Sequence, residues 1–438
     1  MEKCKVGMMV IYECNHGRRP LHVVAFPWPA FATCCPSSSS PNPWPRGATA
    51  SPSSPPRATS GGSPKSPRLI PSRRLHLLPP PPRRRLAPRR RVDQRHLAGS
   101  DTVPQEGPRR PQNPFADFLK DFSKKPDWII VDYAQYWLPP VAAEFGIPCA
   151  HFSILPASSL AFFGPPSVLL DGGPRRSIEE YTRPPEWIPS SSIAYRLHEA
   201  RWVVKAHCKN ASGVSTAHRL GAVVGGCRFV AVRTVNELEC DSLQLLAESI
   251  YKKPVIPVGL LAQAPQPVGD ARAVIEWLDA QSPRTVVYVA FGSEATVASE
   301  LVEELACGLE LSNVPFLWAY RQPGDLTRGF RGPSEGQRSG RGRLGASAQC
   351  VGTSIADQGL IARVMAGKKV GVEVPRDEQD GSFTRAGVAE AVRMVMLGEE
   401  GKAFGARAKE MMEIFADDGS SSRHMDEFVG CLRNCAKD

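Results

Sequence analysis

Three places in this chain set polar groups at the ends of apolar runs, where a folded protein can aim them at a ligand. Asp132 follows Trp128–Val131, a continuous apolar run of strand length. A carboxylate there can do acid–base work or cap a turn. Gly292 and Ser293 follow TVVYVAF, Thr285–Phe291, which reads as a buried parallel strand entering a tight turn. The backbone N–H groups of such a turn can face an anion, although a Gly-Ser pair after a strand is also common punctuation. Asp357 and Gln358 can hydrogen-bond hydroxyl groups, but the dipeptide taken alone specifies nothing.

The elements that must position these residues follow from apolar periodicity. His22–Phe26 predicts a first strand ending at Pro27. Trp128–Val131 and Cys149–Ser153 predict buried strands, with a helix over Trp137–Phe145 stopped by Gly146-Ile147-Pro148. Ile193–His207 reads as a helix, Gly213–Ala217 as a strand, Asn236–Ser249 as an amphipathic helix and Lys253–Leu260 as a strand. The Ala/Gln/Pro stretch Leu261–Gly269 is the best boundary between domains. Beyond it, Ala271–Ala280, Ser299–Leu311, Thr384–Met396, Gly401–Phe415 and His424–Leu432 predict helices. Thr285–Phe291, Phe316–Tyr320 and Lys369–Val374 predict strands, while Gln322–Ser354 carries no period. Strand and helix alternating in two linked halves predict an α/β protein with two parallel-sheet domains facing a cleft.

The 438 residues suffice for two cores. The net charge of +10 is localised: Pro36–Pro111 holds 15 Lys+Arg and 3 Asp+Glu, and the remainder holds 39 and 41. The same segment carries 18 Pro, which forbids helix interiors and central strands, so it is expected to be disordered. Its single aromatic, Trp44, argues against a nucleic-acid reader, and no nucleic-acid partner is expected. The 12 Cys form no CxxC pair, which fits thiols in a reducing compartment and no metal site. No apolar run reaches the roughly 18 residues of a membrane span. Val6–Tyr12 is too short for a signal peptide, so a cytoplasmic location is expected.

LHVVAFPWPAF at Leu21–Phe31, PDWIIVDY at Pro126–Tyr133, PRTVVYVAFGSE at Pro283–Glu294 and DQG followed by IARVMAGKKVGVEVPRD at Ile361–Asp377 together resemble plant UDP-dependent glycosyltransferases of family 1. The resemblance implies a GT-B fold, two Rossmann-like domains facing a cleft, and no metal or resident cofactor beside the UDP-sugar co-substrate. Residues 21–260 would form the acceptor-side domain after an extension at 1–20, with 36–111 inserted in place of native elements. Residues 261–270 would be the linker, and 271–438 the UDP-sugar-side domain. Asp132 would be the carboxylate that orients a catalytic His, Gly292 and Ser293 the turn facing the donor phosphates, and Asp357 and Gln358 the pair that holds sugar hydroxyls. The Phe26–Phe31 form FPWPAF looks like the glycoside-extending, rhamnosyltransferase-like branch, whose acceptors are flavonoid or triterpenoid glycosides.

The chain departs from that pattern at two places, so both domains are expected to be incomplete. Where Gly-His-Leu-Leu-Pro should follow Phe31, it reads Ala32-Thr33-Cys34-Cys35-Pro36. Of the donor signature, which begins Trp-x-Pro-Gln, only Asp357 and Gln358 stand. His22 begins its strand rather than following it and reads as structural. Ala32–Pro36 can be encoded GCC ACC TGC TGC CCC, which read from its third base gives His-Leu-Leu-Pro. Leu344–Ser347 with the first base of Ala348 can be encoded so that a one-base shift gives Trp-Ala-Pro-Gln. The expectation is a glycosyltransferase by descent, moving a hexosyl or rhamnosyl group to a metabolite hydroxyl, impaired as it stands. The alternatives are a non-catalytic remnant, or a faulty gene reading, and a basic Pro/Arg-rich interaction protein using PPPPRRRLAPRRR at Pro79–Arg91.

Overall fold

A computed structural model describes residues 10–14, 21–26, 112–121, 125–170, 173, 175, 177–188, 193–261, 272–290, 298–319, 355–416 and 418–435. The segment 36–111 lies outside the described residues.

The first half is built on a sheet of six strands: β1 (Val10–Cys14), β2 (Leu21–Phe26), β3 (Trp128–Val131), β4 (Cys149–Ser153), β5 (Phe229–Val232) and β6 (Val255–Pro257), lying side by side in that order. β2 through β6 are parallel, and β1 joins the edge antiparallel, Val10 opposite Ala25 and Cys14 opposite Leu21. The edge beside β2 is thus closed by a strand from within residues 1–20. β3 and β5 are buried along their whole length, as continuous apolar runs in a parallel sheet require.

The helices between strands are α1 (Gln112–Asp121), α2 (Leu138–Glu144), α3 (Ala157–Phe163), α4 (Pro166–Leu169), α5 (Ile178–Tyr181), α6 (Leu197–Val203), α7 (Thr216–Gly226) and α8 (Asn236–Leu245). Pro139 and Pro140 start α2, where a missing N–H costs nothing, and Gly146 at φ 68° turns the chain out after it. Two expectations fail here. Gly213–Ala217 is the start of α7 rather than a strand: the Ser215 hydroxyl accepts from His218 N at 3.1 Å and caps the helix. The strand instead is Phe229–Val232, after the turn that ends α7. Ile193–His207 becomes helical only at Leu197, because Glu199 closes a capping interaction on the Arg196 N–H.

The second half contributes α9 (Arg272–Asp279), β7 (Val287–Ala290), α10 (Ser299–Ser312), β8 (Phe316–Ala319), α11 (Ile355–Gly367), α12 (Arg385–Met396), α13 (Glu399–Ala416) and α14 (Asp418–Asn434). Its described sheet is the parallel pair β7–β8. α10 and α12 pack closely at Gly308, where an added Cβ would lie 2.6 Å from the Val388 Cβ. The expected strand Lys369–Val374 is not one: Lys369 takes a left-handed φ of 56°, and the chain beyond Val370 runs on without ladder pairing. An apolar extended run becomes a strand only where a neighbouring strand answers its N–H and C=O groups.

α14 crosses back to cover one face of the first sheet. Met425, Phe428, Val429 and Leu432 pack on Leu21, Val23, Trp128 and Phe229. Fully buried Trp128 donates its indole N–H to the Leu432 carbonyl at 2.7 Å. The opposite face holds Val24, Ile129 and Val131 under Phe115, Leu138 and Val223.

Candidate functional site

Asp132 stands at the C-terminal end of β3, where ligands of open α/β sheets gather. Its Oδ1 accepts from Ala134 N at 3.3 Å, capping a short 3-10 turn at Tyr133–Gln135. Burial pushes its carboxyl up to about 7, against the pull of the Ala134 and Tyr133 N–H groups. Among the described residues no His ring hydrogen-bonds it. The side chain thus caps the turn while burial holds its carboxyl near neutral pH.

A cavity of about 130 Å³ opens beside Asp132. Much of its wall is apolar, including Phe152, Leu155, Phe163, Leu169 and Leu220. His151, in the middle of β4, also lines it. The His151 Nδ1 lies 3.1 Å from the Val131 carbonyl oxygen. A carbonyl only accepts, so Nδ1 carries the hydrogen and Nε2 remains a bare acceptor. That Nε2 is buried and has no partner among the described residues. Burial lowers the ring to about 4, so it is neutral at pH 7. Tyr181 and His207 form a second polar pair on the wall, phenol oxygen to Nε2 at 2.5 Å. None of these three was singled out from sequence. A signal for His151 existed: it interrupts the apolar strand CAHFS on the side shared with Cys149 and Ser153.

The donor-side candidates are placed differently. Gly292 and Ser293 lie outside the described residues. Asp357 and Gln358 sit in the first turn of α11, Asp357 with no exposed surface and Gln358 exposed. α11 is seated on α3 and α6 of the first half. Leu360 is fully buried in a cluster with Phe162, Tyr181, Tyr195, Ala200 and Val203. Arg363 pairs with Glu199 and Glu373, and Arg196 also reaches Glu373 at 3.0 Å. Gly359 is held tightly against the Glu199 carboxylate, which leaves no room for a Cβ. Burial, with the nearby Asp357 and Glu199 carboxylates, drives the Tyr195 phenol well above its usual range. Tyr181 and Val203 belong both to this cluster and to the cavity wall, so α11 lies one side-chain layer from the cavity.

Among the described residues no three His, Cys, Asp or Glu side chains gather as a metal site, and no helix is long and apolar enough to cross a membrane.

No protein-family model matches the chain. It is 34% identical to UDP-glycosyltransferase 91A1 of Arabidopsis thaliana, covering 73% of this chain and 76% of that one. It is 36% identical to UDP-glycosyltransferase 91C1 of the same plant, covering 74% and 77%. Against soyasaponin III rhamnosyltransferase of Glycine max the identity is 33%, covering 71% and 74%. Among solved structures, Os79 from O. sativa in complex with UDP superposes with a TM-score of 0.56 at 20% identity, covering 74% of this chain and 82% of that one. Phytolacca americana UGT2, complexed with UDP-2fluoro-glucose and pterostilbene, gives 0.55 at 21%, covering 74% and 80%. These likenesses give the two-domain GT-B fold.

Proposed function

The chain belongs to the plant UDP-glycosyltransferases, and from that premise we propose that it descends from an enzyme moving a hexosyl or rhamnosyl group from a UDP-sugar to a hydroxyl of a plant secondary metabolite or its glycoside, and that it no longer performs the transfer. The relatives that include a saponin rhamnosyltransferase support a flavonoid or triterpenoid glycoside as the ancestral acceptor, and a cytoplasmic location accompanies that reading.

The observation that carries the loss is the position of Asp357. A residue that holds sugar hydroxyls must reach an open cleft. Here its side chain is buried under the acceptor-side half, with Leu360 beside it in that half's core. Acceptor activation fails for a separate reason: the segment after Phe31 supplies Thr and Cys where the family places its His. Loss of a general base typically costs 10²–10⁴-fold in rate.

Isothermal titration of the full-length protein with UDP tests this. The expected result is no binding at micromolar concentrations and no sugar transfer to flavonoid or triterpenoid glycosides. Micromolar UDP affinity would overturn the proposed loss. A chain with both reading frames and the missing signature restored is expected to regain UDP binding and transfer together. Restored UDP binding without transfer to any glycoside would sink the proposed reaction.

A further inference from the structure

The last turn of α14 sets two thiols against each other. Cys431 and Cys435 lie four positions apart and share one face of the helix. Their sulfur atoms are 3.4 Å apart. Among the described cysteines no other pair lies sulfur to sulfur within hydrogen-bond reach. Both side chains are half-buried against the cluster that covers the first sheet, and so remain open to a small reagent. Helical geometry puts Cα atoms four residues apart at about 6 Å, inside the range that a disulfide bridges. The Cβ atoms of such a pair stand about 5–6 Å apart, whereas a disulfide draws them to about 3.5–4.5 Å. The turn must therefore tighten when the bond closes, and a last turn yields more readily than an interior one. This turn is also tied to the sheet through its carbonyls. Trp128 donates its indole N–H to Leu432, and the Arg228 guanidinium donates to Cys435 at 2.8 Å. The Cys435 N–H closes the turn on the Cys431 carbonyl at 2.9 Å.

We propose that Cys431 and Cys435 form a reversible disulfide, with a low-molecular-weight disulfide of the glutathione class as oxidant, and that closing it pulls the Leu432 carbonyl off the Trp128 indole. The Cys435 thiolate attacks a sulfur of oxidised glutathione, forming a mixed disulfide and expelling one glutathione thiolate. The Cys431 thiolate then attacks the Cys435 sulfur, and the second glutathione leaves. The pair loses two electrons and two protons, which depart in two molecules of reduced glutathione. Cys435 attacks first because burial and the Cys435 contact push the Cys431 thiol up and keep it protonated. Cys431 completes the exchange through proximity. The reaction requires neither UDP nor sugar transfer. It suits a reducing compartment, where disulfides are transient and sense redox state.

The test incubates the full-length protein with oxidised glutathione, blocks the remaining thiols and maps the tryptic peptides of the monomer. Trypsin cuts after Arg433, between the two cysteines, so the disulfide joins two peptides that otherwise separate. The joined pair, lighter by two hydrogens than its parts, is expected to appear and to vanish on adding dithiothreitol. Exposed Cys208 and Cys240 serve as controls and are expected to carry glutathione instead. Cys431→Ser is expected to lose the joined pair and to trap glutathione on Cys435. In spectra of protein labelled with ¹⁵N at tryptophan, the Trp128 indole signal is expected to move on oxidation. It is expected to stay still when both cysteines are replaced by serine. Should the variants fail to fold, the peptide map and the indole signal of the unaltered chain still decide the matter. Both cysteines remaining free, both carrying glutathione, or either joining another cysteine would each overturn the proposal. Cys435 left free in Cys431→Ser would overturn the order of attack. A joined pair with a motionless Trp128 signal would overturn the coupling to the sheet.

Discussion

Among the described residues the two halves of the molecule differ in how far their sheets are paired and covered. The first half keeps six paired strands, with both faces of its sheet covered. It closes its edge with Val10–Cys14 and borrows α14 from the far end of the chain as a cover. The described second half has two paired strands, and Tyr288, Leu311, Met394, Leu397 and Met412 stand exposed on it. Sheets lose less at an edge than in the middle, because an edge strand has one ladder and one neighbour to replace. The half that keeps a covered sheet also keeps a shaped cavity.

The strongest way to break this comparison is to remove a large side chain from each half. Trp128 is fully buried between β-sheet and α14, stacks edge-on to Phe229 at 5.2 Å and donates to Leu432. Trp128→Ala is expected to destabilise the chain by about 3–5 kcal/mol, as burial of that size implies. Tyr288→Ala, at a 43% exposed position on β7, is expected to stay within about 0.5 kcal/mol. Denaturant unfolding followed by tryptophan fluorescence and circular dichroism measures both. Similar losses at the two positions would mean that the halves are equally consolidated.

The cavity sharpens the comparison through pH. The Asp132 carboxyl is raised from 3.8 to about 7 by burial, so the folded chain holds a proton there that the unfolded chain releases. Its contribution is fully present below pH 4 and is lost as pH rises to 7. His151 is lowered from 6.5 to about 4, so its contribution is present above pH 6.5 and is lost as pH falls to 4. Between pH 4 and 6.5 the two slopes oppose, each about 1.4 kcal/mol per unit at most. Asp132→Asn is therefore expected to gain stability over the unaltered chain progressively from pH 4 to 7. His151→Phe is expected to gain progressively from pH 6.5 down to 4, on top of any constant offset. Stability measured across pH 4–8 for the three chains shows the slopes, and their absence would mean that both groups are solvated.

Much of the fold was legible because burial on both faces writes continuous apolar runs, as at Trp128–Val131 and Cys149–Ser153, and because Ser, Pro and Gly mark helix ends. The failures have the same root. Gly213–Ala217 was too short for periodicity to arbitrate, and the Ser215 cap that decides it acts three residues away. Lys369–Val374 has strand composition, but its pairing depends on neighbours that local sequence does not contain. The place of Asp132 at the end of a strand was legible from the apolar run before it. His151 required knowing that the end of β3 offers it the Val131 carbonyl, a contact across 20 positions. The seating of Asp357 against the first half is a contact between halves, and no local pattern records it.

The smallest expected effect concerns the exposed apolar surface of the second half. Leu397 is 68% exposed at the end of α12 and Met412 is 59% exposed on α13. Leu397 also lines an open groove with Leu311, Ala389 and Met394. Scattered apolar residues are ordinary on protein surfaces, but a groove of several invites contact between copies. Leu397→Lys with Met412→Lys is expected to leave folding stability within about 0.5 kcal/mol, since neither side chain is buried. The same pair is expected to lower the weight-average mass seen by sedimentation as concentration rises. Control changes outside the second half, Trp202→Lys on α6 and Leu261→Lys at the start of the linker, replace side chains of 39% and 41% exposure. These should leave the mass where it was, because neither residue lines the groove that Leu397 shares with Leu311, Ala389 and Met394. If the controls reduce association as much as the second-half pair does, stickiness belongs to the whole surface and the contrast between the halves ends at their sheets.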